Sequence, residues 1–274
     1  FSNPKQRLLF KNLGYVGVLA SILEMDKDIY IALINEQFKG KEKLIEPNVK
    51  ALEIGYSYAE ENFKGLCDIK VNKSDKTEGL ILTSGNDAAG LGCVYGGATF
   101  CAWYPITPST SLAESYSNYS EKLRIEIGTD KNKFAFIQAE DELAAIGMTI
   151  GANWNGARGF TATSGPGISL MSEFIGLAYF AEVPSVFWDV NRVGPSTGLP
   201  TRTQQSDITM LYEGSHGDTQ HIVLIPGTVE ECFEFGWKAM DYSERFQTPV
   251  FGLSDLDLGM NRWACEGFTY PEQD

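Results

Sequence analysis

Short apolar runs alternate with helical patterns over most of the sequence, and this alternation constrains the fold more than any other feature. The runs that read as strands are 80–84, 98–104, 134–139, 159–164, 184–190, 221–226 and 249–255. The central runs are nearly continuous apolar stretches, which is typical of strands covered on both faces. Repeated β–α units predict an α/β fold with three layers, α/β/α, around a mostly parallel sheet.

The N-terminal part of the chain has a different pattern. Apolar residues recur at helical spacing within 1–62, whereas 63–78 is polar and has no clear period. We therefore predict a short helical segment over 1–62, a linker over 63–78 and an α/β domain over 79–262. Residues 263–274 are interpreted as a linker toward a further domain. Because the chain begins at Phe1 in mid-pattern, we expect it to be a piece of a longer polypeptide.

Composition disfavours several classes of protein. With 43% hydrophobic and 21% charged residues, the chain is typical of a globular protein. The formal net charge of −14 and the absence of Lys/Arg stripes argue against nucleic acid as a partner. No apolar run reaches the roughly 18 residues of a membrane helix, so we expect no membrane partner. The cysteines are scattered without a CxxC pair, which favours buried thiols in a reducing, cytoplasmic compartment.

Ligands of parallel α/β sheets bind outside the carboxyl ends of the strands, so the segments that follow the strands are candidate sites. After the first predicted strand, the glycines of SGNDAAGLG (84–92) indicate either a phosphate site at a helix start or close helix packing. The spacing is not GxGxxG, so a dinucleotide site is only weakly supported.

The second predicted strand is followed by YPITPST (104–110). Pro105 and Pro108 restrict the backbone, so this segment is expected to be a rigid loop that presents the Thr107 hydroxyl. The alternative is a simple turn into the next helix, in which Ser109 or Thr110 serves as the cap.

Three acids, Glu140, Asp141 and Glu142, follow the third predicted strand and precede a helix that is apolar on all sides. Acids at a helix start satisfy free N–H groups and the helix dipole, which is the plain interpretation. A helix of this composition is predicted to be buried, and a buried start favours keeping one acid partly neutral as a proton donor. Periodicity does not identify which of the three acids that is.

The loops after the next two strands carry the remaining candidates. Ser164 and Gly165 begin the segment SGPG, which lacks the GxSxG pattern of a nucleophile elbow and is expected to offer N–H groups and hydroxyls to a ligand. Arg192 directly follows a buried strand, where a guanidinium suits a bidentate grip on a carboxylate. The alternative for Arg192 is a structural ion pair with an acid such as Asp189. The long loop 191–207 is typical of a functional loop.

The segments YPITPST, EDELAAIGMTIGA, FTATSGPGISLM and NRVGPSTGLPTRTQQSD, in this order, resemble the α subunit of 2-oxoacid:ferredoxin oxidoreductases. The resemblance covers about 79–262 and implies a thiamine-diphosphate-binding fold of the pyrimidine type. Residues 1–62 resemble the end of a γ-type domain, as in fused γ–α subunits.

The resemblance implies roles for particular residues. It places Thr107, with Tyr104 beside it, at the substrate carboxylate and the cofactor, and Arg192 on the carboxylate of the 2-oxoacid. The family glutamate that bonds the thiamine aminopyrimidine lies nine residues before a Gly-Ala pair, which selects Glu142 as the general acid/base.

The same motifs imply further cofactor contacts from Pro105, Ser164 and Gly165. No metal ligand is expected on this chain. It has no GDG motif followed by Asn and no cluster cysteines, which in the family lie on the β subunit. The resemblance therefore implies thiamine diphosphate with Mg²⁺ shared with a β subunit, a [4Fe–4S] cluster on that partner, and two heterodimers forming a heterotetramer.

The implied reaction is oxidative decarboxylation of a 2-oxoacid to acyl-CoA, with CoA as substrate and ferredoxin as electron acceptor. The form of the 191–207 loop and the γ–α fusion look most like members that prefer 2-oxoglutarate. The alternatives are a transketolase-like or synthase-like thiamine enzyme, and a non-catalytic assembly module of the same fold.

Overall fold

The computed structural model describes residues 4–129 and 131–272. Contacts divide the chain into two compact units, Phe1–Lys76 and Thr77–Asp274. Residues 1–3 and 273–274, at the outer ends of the predicted helical segment and of the predicted second linker, lie outside the described residues.

The first unit is helical, as predicted. It contains α1 (Pro4–Ile22), α2 (Lys27–Gln37), a 3₁₀ turn (Glu42–Leu44) and α3 (Ile45–Asn62). Helices α1 and α3 approach closely at glycines, because a Cβ on Gly55 would lie 1.9 Å from the carbonyl oxygen of Gly14. The predicted linker after α3 contains neither helix nor strand in its described residues, but it is not detached. The amide of Val71 donates a 3.0 Å hydrogen bond to the carbonyl of Leu23.

The second unit contains all the strands of the described chain. They are β1 (Ile81–Thr83), β2 (Phe100–Trp103), β3 (Ala135–Gln138), β4 (Gly159–Thr163), β5 (Ser185–Asn191), β6 (Ile222–Leu224), β7 (Pro249–Asp255) and β8 (Trp263–Cys265). Strands β2 to β7 form a six-stranded sheet in the order β3-β2-β4-β5-β7-β6, and every neighbouring pair is parallel.

Helices cover both faces of this sheet, which confirms the predicted three-layer α/β fold. They are α4 (Gly85–Tyr95), α5 (Thr110–Leu123), α6 (Glu142–Trp154), α7 (Gly165–Phe180), α8 (Ile208–Tyr212), α9 (Val229–Phe246) and α10 (Leu256–Met260). Adjacent strand residues face opposite sides, so Trp188 on β5 joins the core under α4, α5 and α9, and Phe187 joins the core under α6 and α7. Burying side chains of this size contributes about 1.5–3 kcal/mol each.

The first predicted strand is not part of the parallel sheet. Strand β1 pairs antiparallel with β8, with Leu82 opposite Ala264, in a separate two-stranded sheet. The short β1 leaves Leu82 65% exposed, which does not fit a strand covered on both faces. Residues 263–265, predicted to begin a linker, are thus tied back to the start of the α/β unit.

The glycines of α4 serve helix packing. A Cβ on Gly90 would lie 2.9 Å from the carbonyl oxygen of Leu112 on α5, and one on Gly92 would lie 2.2 Å from that of Phe233 on α9. Of the two interpretations of SGNDAAGLG, close packing is therefore the one that the structure bears out for these positions.

Helix α6 departs from its predicted burial on all sides. Leu143 and Met148 are 40% and 42% exposed, whereas Ile146 and Ile150 are buried against the sheet. One face of α6 packs on the sheet, and no described element covers the opposite face.

Candidate active site

The chain reverses its direction across the sheet at the edge strand β3, so that β3 and β4 lie on opposite sides of β2. The connection from β2 to β3 runs through α5 on one face, and the connection from β3 to β4 runs through α6 on the other. The switch point between β2 and β4 opens a crevice at the carboxyl ends of these two strands, which is where α/β proteins bind ligands. The loop 104–109 leaves β2 at this crevice, and Ser164 leaves β4 there.

The three acids before α6 have three different environments. Glu140 is exposed. Asp141 is the N-cap of α6, and its Oδ1 accepts a 2.7 Å hydrogen bond from the amide of Ala144. Glu142, the first residue of the helix, is buried with 8% exposure, and no described residue hydrogen-bonds its carboxylate. Glu142 is therefore the one acid of the three that is free to bind a ligand in a shielded place.

Glu142 packs against the start of α7. A Cβ added to Gly167 would lie 3.0 Å from Cγ of Glu142 and 1.9 Å from Oγ1 of Thr163, the last residue of β4. Only glycine fits at this position, and its absence of a side chain lets Glu142 lie over the end of β4.

Arg192 holds two loops together. Its guanidinium is buried with 7% exposure and donates from Nη1 to the carbonyl of Thr107 at 2.7 Å and from Nη2 to the carbonyl of Thr197 at 2.8 Å. Burial lowers the pKa of Arg192, and the nearby Glu142 carboxylate partly offsets this effect. The Nε atom is buried without a hydrogen-bond partner among the described residues, so Arg192 retains donor capacity for an anion.

The predicted alternative for Arg192 is not observed among the described residues. Both carboxylate oxygens of Asp189 lie without a hydrogen-bond donor, and no ion pair joins this residue to Arg192.

The loop 104–109 is held by polar contacts that differ from the predicted helix cap. Ser109 occupies the N-cap position of α5, but its hydroxyl donates to the carbonyl of Ile106 at 3.2 Å instead of capping the helix. The amide of Ile106 donates to Oγ1 of Thr110 at 3.0 Å. Both hydroxyls are used by the loop itself, because its turn brings the Ile106 peptide within their reach.

Asn86 is a site residue that sequence reasoning missed. It lies on α4, is fully buried, and its Nδ2 donates to the carbonyl of Pro108 at 2.9 Å and to the hydroxyl of Ser111 at 2.8 Å. Asn86 therefore ties the loop 104–109 to the helix before it. The only signal in the sequence is a polar side chain within a helix of small and apolar residues.

The remaining predicted residues lie at the same edge of the sheet. Ser164 is the N-cap of α7 and is fully buried, with a hydroxyl that has no partner among the described residues. Gly165 follows it, and a Cβ there would lie 2.5 Å from Oδ2 of Asp207. On the loop after β2, Tyr104 is half-buried and Pro105 is exposed.

The described residues show where charged cofactor groups do not fit. A cavity of about 520 Å³ lies at the ends of β6 and β7, but it is lined by Glu230, Asp255 and Asp257 and by no Lys or Arg, which disfavours a diphosphate. Within 4–129 and 131–272, no group of three or more His, Cys, Asp or Glu side chains is placed to hold a metal ion. None of the helices described there has the length and apolarity needed to cross a membrane.

A parallel sheet with a helix layer on each face, and with a shielded glutamate and a shielded arginine at its switch point, is typical of α/β domains that bind ligands at their strand ends. Comparison with known proteins narrows this class. Residues 91–262 match the family described as "Pyruvate flavodoxin/ferredoxin oxidoreductase, thiamine diP-bdg", and the chain belongs to this family.

The names of similar curated proteins agree with this family assignment. The chain is 42% identical over 231 residues to "2-oxoacid:ferredoxin oxidoreductase 2, subunit alpha" of Aeropyrum pernix, which covers 82% of this chain and 36% of that protein. It is 46% identical over 189 residues to "2-oxoglutarate synthase subunit KorA" of Methanothermobacter marburgensis, covering 69% and 47%. The chain therefore spans between about a third and a half of the length of these relatives.

A solved structure is similar in fold. The 2-oxoglutarate:ferredoxin oxidoreductase from Magnetococcus marinus, with 2-oxoglutarate, coenzyme A and succinyl-CoA bound, superimposes with a TM-score of 0.77 at 34% identity. The match covers 93% of this chain and 43% of the other, so it extends beyond the second unit.

Proposed function

We propose that this chain is part of a CoA-dependent 2-oxoacid:ferredoxin oxidoreductase and supplies the aminopyrimidine side of its thiamine diphosphate site. The observation that carries the proposal is the buried, unpartnered carboxylate of Glu142 at the switch point, beside Arg192. Family membership and the names of the relatives support the class of reaction.

The residues of the crevice fit an aminopyrimidine. Glu142 offers a shielded carboxylate that can hold a proton or share one with a ring nitrogen. Unpartnered hydroxyls of Thr163 and Ser164 lie at the adjacent strand end, and Gly165 and Pro105 line the neighbouring turns. Thiamine diphosphate, when bound, supplies the carbanion chemistry that decarboxylation of a 2-oxoacid requires. The role of this chain is to hold the ring and to move the proton at the Glu142 carboxylate.

Arg192 and the loop 104–109 are proposed to bind the substrate. A 2-oxoacid presents a carboxylate, and the Arg192 guanidinium retains donor capacity at Nε. Because Arg192 also bonds the Thr107 carbonyl, the arginine and the Thr107 hydroxyl belong to one rigid unit, with Tyr104 at the start of the same loop. We propose 2-oxoglutarate as the preferred substrate, which is supported by the names of the KorA relatives and of the Magnetococcus marinus enzyme.

The site is proposed to be completed by a β subunit. We infer that this partner binds the diphosphate through Mg²⁺ and carries the [4Fe–4S] cluster that passes electrons to ferredoxin, and that α/β pairs assemble into a heterotetramer. The exposed apolar residues Leu143 and Met148 on α6 support a partner that covers this face. In this proposal the chain is inactive without its β subunit, and the enzyme is cytoplasmic.

The two units are assigned accordingly. We propose that 79–262 is the pyrimidine-binding domain and 1–62 the tail of a γ-type domain, joined by 63–78. Residues 263–274 are proposed to lead toward a further domain. The extent of the match to the Magnetococcus marinus structure supports a common origin for most of the chain.

The test is an assay of the full-length protein co-purified with its partner, using reduction of a viologen dye. We expect reduction to require a 2-oxoacid, CoA and thiamine diphosphate, with 2-oxoglutarate the fastest of a panel of 2-oxoacids. Thiamine-dependent transfer without dye reduction would support the transketolase-like alternative. A complex that neither binds thiamine diphosphate nor reduces the dye would support the assembly module.

A further inference from the structure

Two carboxyl groups meet at the base of the loop 191–207, and the proposed reaction uses neither of them. Asp189 lies on β5, three residues before Arg192, and is 0% exposed. Among the described residues, no hydrogen-bond donor reaches either of its carboxylate oxygens. Its hydrogen-bonding neighbour is the carboxyl group of Asp207, at the end of the loop.

Asp207 connects the end of the loop to its surroundings. Its backbone has a φ of 63°, the left-handed conformation. Nδ2 of Asn191 donates to its Oδ2, and the hydroxyl of Ser206 donates to its Oδ1 at 3.1 Å. The carboxylate also lies against Gly165, where it occupies the space that a Cβ would need. A single side chain thus joins the loop to the end of β5 and to the start of α7.

A negative charge on both carboxyl groups at once is disfavoured. Two carboxylates in contact repel one another, and burial makes each charge more costly. The Asp207 carboxyl group accepts two hydrogen bonds, whereas the Asp189 carboxyl group accepts none from the described residues. Burial, reinforced by the Asp207 charge, raises the pKa of Asp189 well above its ordinary range. The shared proton therefore resides on Asp189.

We propose that Asp189 is a positioning residue, a neutral carboxylic acid that donates a hydrogen bond to the Asp207 carboxylate and so closes the base of the loop that carries Arg192. Asp189 lies two residues before the loop begins at Asn191, and Asp207 ends the loop, so the bond closes the base of the loop. The amide of Ser206 donates to Oδ1 of Asn191 at 3.1 Å and reinforces the same closure. The inference rests on the proposed function only in what Arg192 is positioned to bind.

Other charged groups near Asp189 do not account for its protonation. Ionisable groups also stand near the same ends of the elements packed around Asp189, namely Glu142 at the start of α6, Arg192 directly after β5 and Asp255 at the end of β7. Strand β4 and the start of α7 present the hydroxyls of Thr163 and Ser164 there. None of these three ionisable groups raises the pKa of Asp189, which is raised by burial and by the charge of Asp207.

The closure is measured by hydrogen–deuterium exchange of 191–207 in the full-length protein. At neutral pH, Asp189→Asn keeps a donor toward Asp207, so exchange of the loop should match the wild type. Asp189→Ala removes the donor, and exchange should be about tenfold faster. Asp218→Asn is the matched control, because Asp218 is exposed and lies outside the loop.

The dependence on pH separates a titrating pair from simple packing. An opened loop exposes Asp189 to water, where it ionises in the ordinary aspartate range, whereas the closed loop keeps the proton. Rising pH therefore favours opening, by at most about tenfold per pH unit for one proton, until the buried group also ionises. Above the ordinary aspartate range, exchange corrected for intrinsic rates should therefore accelerate with pH in the wild type relative to Asp189→Asn.

Two results would overturn the proposal: equal loop exchange in Asp189→Asn and Asp189→Ala, or parallel pH profiles in the wild type and Asp189→Asn. If Asp189→Ala does not accumulate as folded protein, the second comparison decides alone. The readout requires neither thiamine diphosphate nor substrate, so its failure is distinct from failure of the proposed function. A raised KM for the 2-oxoacid in Asp189→Ala is expected only if the positioning role of Asp189 and the proposed function are both correct.

Discussion

Nη1 of Arg192 lies 2.7 Å from the carbonyl oxygen of Thr107, a hydrogen bond between residues 85 positions apart in the chain. This bond joins the loop after β2 to the loop after β5, on either side of β4. It makes the arginine and the threonine a single substrate-binding element in the proposed enzyme. In the proposed enzyme the guanidinium would therefore have both a structural and a binding role, and a substitution would affect both.

Replacement of Arg192 tests its role in substrate binding. In the assembled enzyme, Arg192→Ala should raise the KM for the 2-oxoacid by about tenfold to a hundredfold, because a charge-assisted contact is lost, and should leave the KM for CoA nearly unchanged. Arg192→Lys keeps the charge but not the planar guanidinium, so its KM for the 2-oxoacid should lie between those of the wild type and Arg192→Ala. Steady-state kinetics measure both constants. The control is Arg202→Ala, because Arg202 is an exposed arginine in the same loop. An unchanged KM for the 2-oxoacid in Arg192→Ala would assign Arg192 a structural role alone.

A methyl group at Gly167 should displace Glu142. The Cβ of Gly167→Ala would overlap Oγ1 of Thr163 and press on Cγ of Glu142, so both thermal stability and turnover should fall. Gly151→Ala on α6 is the matched control, because a Cβ there meets no atom within 4 Å and alanine favours a helix by up to about 1 kcal/mol. Thermal melts should show a lower Tm for Gly167→Ala and a higher Tm for Gly151→Ala. Turnover is measured for both variants. Equal effects of the two substitutions would show that Gly167 does not constrain Glu142.

These relationships show where the sequence was informative and where it was not. The strand ends are marked by local patterns, so the sequence predicts that Tyr104, Glu142, Ser164 and Arg192 follow strands of the sheet. The binding roles of these residues stay predictions. The environment of each acid before α6 was not predictable, because it depends on which side chain caps the helix and which packs against Gly167.

Long-range pairing explains the other differences. Strand β1 contacts β8, and its local pattern is the same whether it joins the parallel sheet or a separate ribbon. The bond from Asn86 to Pro108 and the contact of Asp189 with Asp207 join segments that no periodicity connects. Such contacts depend on the assembled fold and are visible only in three dimensions.

Asn86 should contribute measurably to stability. Asn86→Ala leaves the Pro108 carbonyl without its donor in a buried place, so the free energy of unfolding should fall by about 1–3 kcal/mol. Denaturant titration of the purified protein measures this change. Asn155→Ala, which removes a bond from an exposed asparagine to the Gly151 carbonyl, should cost less than about 0.5 kcal/mol. Similar losses in both variants would contradict the anchoring role of Asn86.

The buried thiols should resist modification. Burial raises the pKa of Cys93 to about 12, and Cys101 is also fully buried, so neither forms a thiolate at neutral pH. Cys67 is partly exposed and should react first with iodoacetamide. Mass spectrometry of the native protein locates the label. Labelling of Cys93 as fast as Cys67 in the folded protein would contradict the burial described here.

Glu142 is proposed to be the acid that serves the thiamine cofactor, and the substitution Glu142→Gln in the assembled enzyme is the decisive experiment for this role. The measurement is thiamine-dependent reduction of a viologen dye by the 2-oxoacid with CoA present, together with the size of the purified complex. Glu140→Gln, at an exposed acid two residues earlier, is the control. We expect Glu142→Gln to assemble normally and to lose activity by at least about a hundredfold, with Glu140→Gln close to wild type. Near-normal turnover in Glu142→Gln would contradict the account.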